Sequence, residues 1–100
     1  MYVLSVMMHS PEIETAARII AENVISAVER ERENTSLHPL IREALMVELL
    51  RELLSVMPTQ SGTVLADACN RCLDRIADIH LPTPRVAAVD PEDGSVTMAT

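Results

Sequence analysis

The chain has no lysine, no tryptophan and no phenylalanine, and Tyr2 is its only aromatic residue. Each absence removes a class of function. Stacking on nucleobases and cages for quaternary ammonium groups both need aromatic rings, so neither mode of recognition is expected. Every basic residue is an arginine, the net charge is −7, and no stretch of the chain is basic. Neutralisation of phosphates supplies most nucleic-acid affinity, so direct binding of nucleic acid is not expected. Binding to an anionic membrane surface fails on the same ground. No apolar run approaches the roughly 18 residues of a membrane span. The apolar start, Met1 to Met8, has neither a positive leader region nor a cleavage pattern after it, so it does not read as a signal peptide. With only Gly62 and Gly94, there is no glycine-rich phosphate loop.

What remains is aliphatic and acidic. At 48% apolar the chain carries too much hydrophobic side chain for a disordered segment. One hundred residues support one domain. The pattern divides it into an N-terminal extension (1–10), a three-helix core (11–82) and a tail (83–100).

The first helix is predicted from Pro11 to about Glu33. Ser10 is a good N-cap, Pro11 suits the first helical position, and Glu12 and Glu14 favour the positive helix start. Ile13, Ala17, Ile20, Val24 and Val28 then recur at helical spacing. The second is predicted from about Pro39, because His38 precedes a proline and is pushed away from helical angles, to Val56, with Pro58 ending it. The third starts at Ser61 or Thr63 and stops near His80, ahead of Pro82 and Pro84. Its apolar stripe is Leu65, Ala68, Cys69, Cys72, Leu73, Ile76 and Ile79, with Asp67 and Arg71 as an i,i+4 pair on the wet side. The tail reads as a hairpin around Gly94 or as a loose extension, and Tyr2 to Met7 as a short strand or an extension packed on the bundle.

The second helix is the most informative. Its polar arc holds only Glu48, Arg51, Glu52 and Ser55. The rest divides into three apolar stripes: Leu45, Leu49, Leu53 and Val56; Met46, Leu50 and Met57; Leu40, Val47 and Leu54. Two neighbouring helices hide two stripes. The expectation is that Met46, Leu50 and Met57 are left over and, with Ile19 and Ile25 of the first helix, form a partner-binding face. The competing reading is that Tyr2–Met8 and Val86–Val89 cover that stripe within one chain.

Several motifs have blander readings. Cys69-Asn70-Arg71-Cys72 has the spacing of a thiol redox site, but it lies mid-helix with no strand before it, and two small buried thiols account for it. A zinc site would need His9, His38 or His80 to join those cysteines from distant positions. No Ser/His/Asp arrangement can be assembled. The third helix begins apolar and then acidic, which does not suit reading of the major groove. The acidic run Glu29–Glu33, interleaved with Arg30 and Arg32, is a solvated helix end or a docking patch for a basic partner.

The sequence thus predicts an all-α fold. It is a small three-helix bundle, with a short C-terminal β-hairpin or extended tail, dimerising through the second helix. The expected function is that of a cytoplasmic, non-enzymatic protein–protein interaction module. It would be a small acidic regulator or inhibitor, pairing with itself, with another protein or with both. The alternatives are a structural or adaptor subunit of a larger assembly, and a C-x-x-C thiol redox or zinc-binding protein. No catalytic residue, metal ligand or cofactor is expected.

Overall fold

A computed structural model describes residues 11–32, 36–57, 61–76 and 84–99. They form α1 (Pro11–Glu31), α2 (Pro39–Val56), α3 (Gly62–Ile76), β1 (Val86–Val89) and β2 (Val96–Met98). Tyr2–Met8, His9, Ser10, Glu33, Pro58, Ile79, His80 and Pro82, each singled out above, lie outside the described residues.

Helix α1 opens on proline and two glutamates, as the macrodipole favours. It ends in a turn where the Arg32 N–H is shared between the Val28 and Glu29 carbonyls, a common way to close a last helical turn. Helix α2 is bounded by two residues that precede prolines in the sequence. His38 is extended (φ −57°, ψ 138°), and its Nδ1 accepts the Leu40 N–H, so it caps the helix it precedes. Met57 is also extended (φ −84°, ψ 147°), with its N–H closing onto the Leu53 carbonyl. For α3 the cap is Ser61, whose hydroxyl oxygen accepts the Val64 N–H at 3.3 Å.

The tail is a hairpin. β1 and β2 pair antiparallel, Val86 with Met98 and Val89 with Val96, with a bulge at Ala87 that keeps Val86 and Val89 both turned inward. In the turn, Gly94 takes φ +78° and its N–H reaches the Asp90 carbonyl. The Asp90 and Asp93 carboxylates accept the Glu92 and Ser95 N–H groups, each at 2.8 Å.

The five elements close into a ring. α2 lies between α1 and α3, β1 packs on α3, and β2 returns to α1. One core fills the ring. It takes Ala17, Ile20, Val24 and Ile25 from α1, Leu45, Leu49 and Leu53 from α2, Leu65, Cys69 and Cys72 from α3, and Val86 and Val89 from the hairpin. Val86–Val89 thus packs on α3 rather than along α2.

Candidate functional site

What α2 presents to solvent follows from where its polar side chains go. Glu52 lies 20% exposed at the α2–α3 seam. Its carboxylate accepts from Arg71 (3.2 Å) and from Arg75 (2.8 Å), both on α3. Glu48, one turn earlier, stands 3.7 Å from Arg75 and 3.4 Å from Arg51. Arg71 is thus committed across the seam, and the expected Asp67–Arg71 pair on α3 is replaced by an interhelical one. On the opposite flank Arg42 stands 3.7 Å from Glu29 of α1, and that carboxylate also accepts the Leu37 N–H at 3.0 Å. These contacts mark the two covered flanks of α2. Leu45, Leu49 and Leu53 point inward, and at 100° per residue Leu40 and Val47 point straight out.

The open apolar stripe is therefore the one that carries Leu40 (72% exposed) and Val47 (49%), with exposed Ala44 and half-buried Leu54. Ile41 (46%) is exposed too, but about 100° round the helix from Leu40, on the side of Glu48 and Glu52. The expected stripe of Met46, Leu50 and Met57 is instead half-buried on the flank toward α1, packed against the core. Ile25 is fully buried, which corrects its assignment to an exposed face. The reason is that α1 has two neighbours. α2 covers the flank carrying Ile25 and Glu29, and the hairpin covers the flank carrying Ile20 and Asn23. Together they widen the buried arc beyond a single stripe. Ile19 is 45% exposed but stands beside the hairpin turn at Gly94, in a shallow depression with Thr15, Arg18, Glu22 and Asn23. It is not continuous with the face of α2.

The paired acids and arginines were the overlooked signal. Glu48 and Glu52 are one turn apart on α2, and Arg71 and Arg75 are one turn apart on α3. Two matching i,i+4 pairs on antiparallel helices mark the seam between them, and so the flank of α2 that is covered.

The cysteines are both free and fully buried. Burial, reinforced by the neighbouring Cys72, pushes the Cys69 thiol up to about 12. Burial also raises Cys72, opposed in part by the Arg75 guanidinium. Neither supplies a thiolate near neutrality, which is what nucleophilic or redox chemistry requires. Among the described residues, no three His, Cys, Asp or Glu side chains come together in a way that would hold a metal ion. No described helix is long and apolar enough to cross a membrane. No protein family, curated protein or solved structure matches the chain.

Proposed function

We propose that the chain is a non-enzymatic interaction protein, a small acidic cytoplasmic regulator that engages another polypeptide through the outer face of α2. One observation carries the reading: Leu40 and Val47 stand open on the outer face of α2, with half-buried Leu54 in line with them. A single exposed aliphatic is ordinary, but several on one face of a small domain mark a contact surface. Fully burying a leucine or valine contributes about 1.5–3 kcal/mol. Two such side chains therefore offset a useful part of the entropy lost on association. Free cysteines in place of a disulfide suit a reducing compartment. Buried, protonated thiols favour an interaction role over a thiol enzyme.

The test is the size of the native assembly. In extract of the host cell the chain should run well above its own 11.0 kDa. A Val47→Glu variant, equally folded by circular dichroism, should return to the monomer position. Wild type and variant both running as free 11.0 kDa chains would overturn the reading.

A further inference from the structure

The outer face of α2 has an internal symmetry about Val47. Leu40 and Leu54 lie seven residues to either side of it, and Glu43 and Arg51 four. An isologous contact, in which a surface meets a copy of itself across a two-fold axis, brings position before position in this way. We propose that the occupant of this face is a second copy of the chain, its α2 running antiparallel to the first with the two-fold axis at Val47. Val47 then meets Val47, and Leu40 meets Leu54 of the other copy. Glu43 comes level with Arg51 of the other copy, twice per dimer, so opposite charges line both ends of the apolar strip.

A parallel arrangement would set Glu43 beside Glu43 and Arg51 beside Arg51, which like-charge repulsion disfavours. The antiparallel arrangement also sets the two helix dipoles head to tail. The seven-residue spacing of Leu40, Val47 and Leu54 is that of a seam between two helices. Arg51 has its guanidinium 3.4 Å from Glu48 of its own helix but keeps 69% of its side chain exposed, so it is open to a further carboxylate. This inference rests on the interaction reading above and adds to it the identity of the partner.

Single cysteines placed on the strip test it, since Cys69 and Cys72 are buried and stay out of the reaction. On mild oxidation of the purified protein, V47C should cross-link to itself in high yield. L40C should not, because the two Leu40 positions would lie about 21 Å apart along the antiparallel pair. An equimolar mixture of L40C and L54C should cross-link to each other. By light scattering the unmodified protein should have twice the 11.0 kDa mass. E43R alone should weaken dimerisation about tenfold, and E43R combined with R51E should restore it. Self-cross-linking of L40C as efficient as that of V47C would mean a parallel pair and overturn the proposal. A pure protein that stays monomeric at high micromolar concentration also overturns it. The interaction reading then stands if the extract assembly still depends on Val47 and falls if no such assembly exists, so the two failures are told apart.

Discussion

Asn70 holds the hairpin with one side chain. Its amide N–H donates to the Val86 carbonyl (3.1 Å) and its carbonyl oxygen accepts the Val86 N–H (2.7 Å), which is the bonding an extra strand would supply. Val86 is buried, so Asn70→Ala leaves both backbone groups without partners and should cost about 2–4 kcal/mol in urea unfolding. Gly94 joins the turn to α1. Its carbonyl accepts from Asn23 at 2.7 Å, and a Cβ there would come within 2.8 Å of the Ile19 side chain while φ is +78°. Gly94→Ala therefore combines backbone strain with a clash and should lower the melting temperature by several degrees. Cys69 gives a pH signature. Its thiol titrates near 9.0 when exposed and near 12 in the fold, so the folded state favours the protonated form. That stability is fully present below pH 9, and is lost as pH rises through the window toward 12, by about 1.4 kcal/mol per unit. Urea unfolding at pH about 8 and about 10.5 should show the loss, and Cys69→Ala should reduce it, Cys72 supplying what remains. Equal slopes in wild type and variant would remove this account of the thiol.

The helices were legible in the sequence because local rules agree with one another there. Pro11 and two glutamates start α1, and prolines after His38 and Met57 set both ends of α2. The hairpin is not specified locally, because three- and four-residue strands carry little periodicity and what fixes them is Asn23 and Asn70, far away in the chain. The candidate face was legible by half. That α2 has one apolar stripe too many follows from counting, but which stripe is spare depends on the rotation of the helix. That rotation buries Leu45, Leu49 and Leu53, and it is marked by the Glu48–Glu52 ladder to Arg71 and Arg75 and by the Arg42–Glu29 contact. Ile25 was misplaced for a related reason: α1 touches elements on both flanks, and only the fold shows the second. The ladder itself is testable. Glu52 accepts from two arginines at a partly exposed seam, where each pair contributes a few tenths of a kcal/mol to about 1 kcal/mol. Glu52→Gln should therefore destabilise by about 1 kcal/mol at low salt, and by less as ionic strength rises, in thermal unfolding.

At the scale of the molecule, the proposed pairing sets two electrostatic effects against each other. Each copy carries −7. For domains of this size the centres of two touching copies lie about 25 Å apart, and seven charges against seven in water repel with about 8 kcal/mol before screening. Screening at about 0.01 M salt, where the Debye length is about 30 Å, leaves roughly 3–4 kcal/mol of that; at about 0.15 M well under 1 kcal/mol survives. The Glu43–Arg51 contacts act the other way, but their charges would lie about 4 Å apart, inside either Debye length, so salt removes only a fraction of a kcal/mol from each. Long-range repulsion wins the comparison. The dimer dissociation constant, measured by sedimentation equilibrium, should fall roughly thirtyfold between those two salt concentrations, with the apolar strip holding the pair together once the charges are screened. Affinity that instead declines steadily with added salt would mean that ion pairs carry the contact, and that Leu40, Val47 and Leu54 do not.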